Sequence, residues 1–428
     1  MHKSKKGFTI VELVIVIAVI AILAAVLIPT FSNLVKKANQ SADIQAARQM
    51  NTVLAAEGAA KKVNVFEVYD ALAANGMTAK DYRPLTTDHY FFWDDGANRI
   101  VYTDKNYQIL FPTDFEKQGN WISLTQKIAA TKPANFSVDA PVTVKTGAEL
   151  LYVVSAAAEA GADKEVVVNI PVDGIDMMGA AFEAKLLTAS LTIKSADDTK
   201  PAKIYNATAI DAAYMGKGNS KSDMGQYNTA LFPKVNAGET LKIENVVFEN
   251  INVKNTNTSN ISILVGEVSG NVVINNVTIK NSTVIGHRNV GALIGNIQAS
   301  GNATIGKVTM ENVQVQTVGG RSGMLIGVMG KTNNEYGTLL VNGPISLTNC
   351  AYGIYKCEQN TGTFDGKALG LQSTNLINSY AFELNETTKK FENKFKDYFF
   401  DANALATKEG SGDGETWNDL FNGKVTGW

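Results

Sequence analysis

Three segments of this chain align with one another without a gap: IENVVFENINV at 243–253, INNVTIKNSTV at 274–284 and IGKVTMENVQV at 305–315, each starting 31 residues after the one before. Each is trailed by a second matching segment, LVGEV from Leu264, LIGNI from Leu293 and LIGVM from Leu325. A fixed period of this size, with strand rather than helix alternation inside each unit, marks stacked coils. The pattern therefore predicts a parallel β-helix. Because successive strand residues face opposite ways, Val246, Val277 and Val308 fall in one inward column, and Phe248, Ile279 and Met310 in the next. Asn250, Asn281 and Asn312 then fall at a corner, where Asn accepts left-handed backbone and stacked amides can bond along the solenoid. Gly266, Gly295 and Gly327 are expected at tight corners, since no following helix would turn them into an anion site.

The N-terminal end obeys a different rule. The stretch GFTIVELVIVIAVIAILAAVLIP, residues 7 to 29, is apolar apart from Thr9 and Glu12. As a helix, Phe8 to Ile28 would be roughly 31 Å long, close to the hydrocarbon thickness of a bilayer. The short basic flank MHKSKK holds the N-terminus inside and sends the remaining chain outward. The apolar run continues into FSNLVKKANQ without the small-residue exit of a secretory signal, so the helix is expected to be kept. A carboxylate in such a helix costs about 2.5–3.5 kcal/mol at mid-bilayer, which means that Glu12 needs a partner or a task. Gly7 allows close approach of another molecule to backbone, or simply breaks the helix start. Pro29 is placed to kink the helix where it leaves the membrane.

Gly7, then Phe8, Thr9, Ile10, Val11 and Glu12, then an unbroken apolar run to Pro29, resembles the class III signal of type IV pilins and related pseudopilins. The resemblance implies that a prepilin peptidase cuts between Gly7 and Phe8 and that Phe8 is then N-methylated. It also implies that Glu12 neutralises the amino group of a neighbouring subunit during assembly. A buried ammonium and a buried carboxylate are each expensive alone and tolerable as a pair, so such pairing would favour one register between stacked helices. Other pilin subunits, the peptidase and the cytoplasmic membrane are thus the implied partners. The implied location is that membrane before assembly, with the N-terminus inside, and an extracellular pilus or the cell surface afterwards. LVGEV, LIGNI and LIGVM also resemble the short glycine-centred repeat of bacterial surface adhesins.

Beyond the membrane span, Leu34, Ala38, Ala42, Ala46, Met50 and Val53 recur at helical spacing as one face, with Lys36, Lys37, Asp43 and Arg48 set off it. VNVFEVYDALAANG at 63–76 reads as a second helix closed by Gly76, and HYFFWDDGANRIVYTDKNYQILFP as an antiparallel meander broken at DDGAN and DKN. Phe91, Phe92, Trp93, Tyr102 and Tyr107 are expected to form the core of that sheet. GAELLYVVSAAAEAGA before EVVVNI reads as a helix capping the open end of the solenoid. The fold class expected is an α+β pilin-like part followed by an all-β parallel β-helix. Its divisions are a leader at 1–7, a long helix at 8–62 spanning the membrane at 8–28, a small body at 63–124, a linker at 125–146, a capped β-helix at 147–400 and a C-terminal segment at 401–428.

A formal net charge of −2, with no basic, aromatic-interleaved stripe, argues against nucleic acid as a partner. Cys350 and Cys357, in CAYGIYKC, admit either a disulfide in an extracellular setting or two separate thiols. Three histidines, His2, His89 and His287, show no metal-ligand spacing, so neither a metal nor a cofactor is expected. Many β-helices cleave polysaccharides, but that chemistry needs converging carboxylates. Here the outward column reads Glu249, Lys280, Glu311, a pattern suited to pairing across coils; the column Val247, Thr278, Thr309 is uncharged; and His287 with Arg288 reads as a solvated loop. No catalytic residue is assigned. The reading is a non-enzymatic minor or tip pilin whose β-helix meets host or surface glycans or matrix, with a pseudopilin of a type II-like secretion system as the alternative and a filament-anchored polysaccharide-degrading enzyme as the remaining rival.

Overall fold

A computed structural model describes residues 10–56, 65–78, 80–182, 187–210, 228–317, 322–329, 331–332, 335–348, 350–354, 382–385, 390–393 and 425–426. Helix α1, Ile10–Ala56, is 47 residues long and contains Pro29 without a break in its helical assignment. Its first half is exposed, with Ile10 at 81% and Phe31 at 62%. Its second half joins a folded body through Asp43, Ala47, Met50 and Leu54, all at most 2% exposed. Their spacing of four, three and four residues makes a single stripe. The expected face shares Met50 with this stripe, and its Ala46 and Val53 are half-buried against the same core, but its earlier members are not drawn in. Leu34 is 57% exposed, and Asp43, set aside for its charge, lies in the stripe.

Helix α2, Val65–Ala74, buries Val65, Phe66, Val68, Tyr69, Ala71 and Leu72. It closes at Gly76, whose φ of +80° suits a residue without Cβ. Four strands follow: β1 Tyr90–Asp94, β2 Arg99–Thr103, β3 Ile109–Phe111 and β4 Trp121–Ser123. They form the expected antiparallel sheet, in the order β3-β2-β1-β4. Phe91, Trp93, Ile100 and Tyr102 pack with Met50, Leu54 and α2 on one side, while Tyr90, Phe92, Val101 and Trp121 cluster with Ala180 on the other. Four of the five expected core aromatics are buried; Tyr107 is half-buried, its ring 5.7 Å from Tyr90 and 5.8 Å from Phe92.

From residue 142 onward the described chain is mostly parallel strands stacked in three sheets, an arrangement consistent with a β-helix. The long face orders Val142–Thr143, Glu165–Ile170, Ser190–Ser195, Thr240–Glu249, Asn271–Lys280, Val308–Glu311 and Ile345–Thr348. A second face orders Thr208–Ile210, Asn252–Ser262, Thr283–Gly291, Gln314–Thr317 and Ala351–Ile354. The third holds Phe232–Val235, Val265–Val268, Ile294–Ile297 and Ile326–Met329. The register follows the 31-residue period: Val246 pairs with Val277 and Val277 with Val308, while Phe248, Ile279 and Met310 line up beside them. All six are at most 1% exposed. Helix α3, Gly147–Ala157, carries the Thr146 N-cap that accepts from Glu149 N, and it presses Leu150, Val153, Val154 and Ala157 into the same core.

Two expectations about local structure are corrected. Gly266, Gly295 and Gly327 lie within strands of the third face, not at corners. A Cβ on Gly266 would stand 2.5 Å from the Pro233 carbonyl oxygen, and one on Gly295 2.6 Å from that of Gly266, so close approach between coils is what demands glycine. Residues 125–146 are drawn into the fold rather than strung between two units. Gln126 is 6% exposed and its Oε1 accepts from Ile210 N at 2.8 Å, while Val142–Thr143 forms the outermost strand of the long face. Ser123 N, at the end of β4, also donates to the Met178 carbonyl at 2.9 Å, and Ile210 and Ile285 from the second face enter the body's core.

Candidate functional site: the N-terminal helix and the outward columns

Of the residues tied to processing and assembly, Gly7 and Phe8 lie outside the described residues. Glu12 stands exposed in the first turn of α1. Around and beyond it Leu13, Ile17, Ile20 and Leu27 are each about half exposed, between 48% and 59%. α1 is the single helix among the described residues with the length and apolarity to cross a membrane. Such an apolar surface, on a helix already anchored at its far end, is built for lipid or for other apolar helices.

The anchor is Asp43, which sequence patterning missed. Its Oδ1 accepts from Leu85 N at 2.6 Å, and its Oδ2 accepts from Thr86 N at 3.0 Å and from the Tyr102 hydroxyl at 2.9 Å. A buried carboxylate satisfied by three donors fixes α1 against both the 85–86 turn and β2. Burial, reinforced by this carboxylate, pushes the Tyr102 hydroxyl well above the ordinary tyrosine pKa and keeps it a donor. The signal was the 43, 47, 50, 54 spacing, hidden because one member is charged. Nearby, Arg48 lies 5.2 Å over the Phe111 ring, and Asn51 exchanges bonds with both Ile100 N and its carbonyl, at 2.7 and 2.9 Å.

At the join between body and stack, Lys254 from the second face reaches Asp70 of α2 at 3.4 Å and lies 5.4 Å over the Phe66 ring. Lys254 is 7% exposed, while the Asp70 side chain stays partly in water at 35%.

The expected corner column is real in backbone terms: Asn250, Asn281 and Asn312 have φ of 55°, 48° and 54°. Its side chains do not run as one unbroken ladder. Asn312 Nδ2 donates to Asn281 Oδ1 at 2.9 Å, but Asn281 turns to Glu249 Oε1 at 3.4 Å, and Asn250 donates to Asn206 Oδ1 at 2.7 Å. Asn206 then donates to Asn120 of the body at 3.1 Å, and Asn120 Nδ2 to Asp95 Oδ2 at 2.9 Å. Further asparagine pairings went unread, among them Asn276 to Asn245 at 2.8 Å, and Asn289 to Asn260 to Asn228 at 2.7 and 2.9 Å. The first keeps the 31-residue spacing and was available in the sequence. The others fall in coils of different length.

On the outward face Lys280 pairs with Glu311 at 2.8 Å, while Glu249 is held by Lys203 at 3.2 Å. Beside them Val247, Thr278 and Thr309 stand in register. His287 and Arg288, expected in a loop, lie instead in the strand Thr283–Gly291, where the His287 carbonyl accepts from Thr317 Oγ1 at 3.1 Å. Cys350 is half-buried against the core with Sγ 3.4 Å from the Thr348 carbonyl, and burial pushes its thiol pKa up. Cys357 lies outside the described residues, as does most of the irregular stretch 212–228, of which Asn228 is described and buried.

Comparison with known proteins adds to this geometry at one end only. Residues 2–28 match the prokaryotic N-terminal methylation motif. Over 54 residues the chain is 41% identical to the type IV major fimbrial protein FimA of Dichelobacter nodosus, in a match covering 13% of this chain and 35% of that protein. A further FimA from the same organism matches equally over 34% of its length. The chain thus spans about a third of these relatives. No solved structure matches the chain significantly.

Proposed function

We propose that this chain is a structural subunit of a type IV pilus-like filament, present in few copies or at the tip, that holds its β-helix outward for attachment to surface glycans or matrix and catalyses no reaction. The observation that carries this reading is the methylation motif running directly into a helix whose apolar side chains stay exposed until Asp43. In this reading Gly7 and Phe8 form the cleavage junction, Phe8 becomes the methylated N-terminus, and Glu12 meets that amino group on a neighbouring subunit. A disulfide between Cys350 and Cys357 would be compatible with the exported location. The bulk of the stack beside a body of this size suits sparse placement better than a shaft of many identical copies. The seam supports rigid display: β4 bonds directly to Met178, and Lys254 is clasped between Asp70 and Phe66.

Immunogold labelling of isolated filaments with antibody to residues 240–317 tests the proposal. Gold at filament ends supports a tip subunit. Gold along the shaft makes it a major subunit, and the absence of any labelled extracellular filament replaces the reading with a secretion pseudopilin. Intact-mass analysis of assembled material that retains Met1 would refute the processing step.

A further inference from the structure

A lysine and a glutamate of the third face meet an asparagine from the end of a second-face strand, and none of the three plays a part in the filament reading. Lys234 and Glu267 face each other in direct register on adjacent parallel strands. Lys234 Nζ lies 2.8 Å from Glu267 Oε1, and each side chain is 12% exposed. The other oxygen of the same carboxylate, Oε2, accepts a 2.9 Å bond from Asn260 Nδ2, and Asn260 is 6% exposed. Asn260 Oδ1 in turn accepts from Asn289 Nδ2 at 2.7 Å, and Asn260 Nδ2 also donates to Asn228 Oδ1 at 2.9 Å. An ion pair alone would account for Lys234 and Glu267. It would not account for Asn260, which the run from Asn289 to Asn228 already holds, also reaching the second oxygen of that carboxylate.

The geometry points to a self-catalysed amide bond between Lys234 Nζ and Asn260 Cγ, with Glu267 as the proton carrier. Glu267 Oε1 takes a proton from the Lys234 ammonium along their 2.8 Å contact, leaving a neutral amine. The amine attacks Asn260 Cγ, and the carbonyl electron pair moves onto Oδ1, where the Asn289 N–H stabilises it. Glu267 passes its proton through Oε2 to Nδ2 and accepts the second proton from Nζ. The Cγ–Nδ2 bond breaks, and ammonia leaves with the remaining proton as ammonium. One lysine ammonium and one asparagine amide thus become one secondary amide and one ammonium ion, with nothing oxidised or reduced and no co-reactant needed. The product is a covalent rung between two successive coils, whose parallel strands are otherwise joined by hydrogen bonds and packing.

Tryptic digestion of the purified full-length protein followed by mass spectrometry tests this. With Nζ acylated, trypsin does not cut after Lys234, so residues 222–242 and 255–280 are expected as one joined peptide, lighter than their sum by one ammonia. Glu267→Gln keeps the side-chain volume and removes the proton carrier; its digest should lose the joined peptide while the β-rich circular dichroism is retained. Lys234→Arg should lose it too. Separate, full-mass peptides from the wild-type protein would overturn the bond, whether or not either variant folds. A joined peptide that persists in Glu267→Gln would overturn the role given to Glu267.

Discussion

Replacing Asp43 by Ala should loosen the grip of the body on α1, and the structure allows the size of the effect to be worked out. Three donors converge on the carboxylate: Leu85 N, Thr86 N and the Tyr102 hydroxyl. Leu85 is 63% exposed, so its N–H regains water when the acceptor goes. Tyr102 is fully buried and Thr86 half-buried, and a donor stranded out of water costs about 1–3 kcal/mol, giving about 4 kcal/mol for the two. Losing the burial penalty of the carboxylate itself offsets part of this and leaves a net destabilisation of about 3 kcal/mol. Asp43→Asn keeps one acceptor oxygen and should cost about half as much. Urea unfolding of the protein in detergent micelles, followed by the fluorescence of Trp93 and Trp121 on β1 and β4, reads the change. Tyr102→Phe completes a double-mutant cycle in which the coupling to Asp43→Ala should reach about 1.5 kcal/mol. An Asp43→Ala variant within about 0.5 kcal/mol of wild type, or strict additivity with Tyr102→Phe, would refute the account of Asp43 as an anchor.

Other perturbations probe other parts. Glu12→Ala makes the apolar run easier to bury, so membrane insertion and leader removal should persist while filament incorporation falls; normal incorporation on immunoblots of sheared filaments would count against pairing with a neighbour's amino group. Val277→Asp places a charge between Val246 and Val308, where side chains are at most 1% exposed, and should abolish the cooperative β-melt at a cost of several kcal/mol; an unchanged circular dichroism melt would contradict the inward column. Burial raises the Tyr107 pKa to about 12 from an ordinary 10.0. Its folded value is the higher, so its contribution to stability is complete below about pH 10 and is lost as pH rises towards 12. Tyr107→Phe should therefore flatten the alkaline stability profile in that window, as measured by urea midpoints; an identical slope in wild type and variant would refute the assignment.

The long-face register could be read from the sequence because a repeat whose strands pair in parallel converts sequence spacing directly into strand pairing: the offset that aligns Val246, Val277 and Val308 is the offset that stacks them. The meander was legible for a similar reason, since its turns are local. Asp43 was not, because a charged residue in a buried stripe becomes intelligible only once the donors from residues 85, 86 and 102 are known to arrive. The glycines of the third face were recognised but misassigned. Close approach and tight turning leave the same residue in a sequence, and φ with the neighbouring carbonyl tells them apart. The seam at Gln126, Met178 and Lys254 rests on contacts distant along the chain, for which a single sequence carries no local signal.

The 31-residue period also bears on how such a domain can change over generations. Between Thr240 and Glu311 each coil meets the next through the same columns, Val on Val and apolar on apolar, with asparagine at the turn. Duplicating one unit of this stretch would present each neighbour with the surface it already meets, and would move the far end outward by about one inter-strand spacing, roughly 4.8 Å. α3 at one end of the stack would not be disturbed, and the contacts that Lys254 and Ile285 make with the body would be kept where the duplicated unit lies beyond them. Reach is therefore a heritable quantity that recombination between matching repeats can adjust one rung at a time, while α1 keeps its sequence.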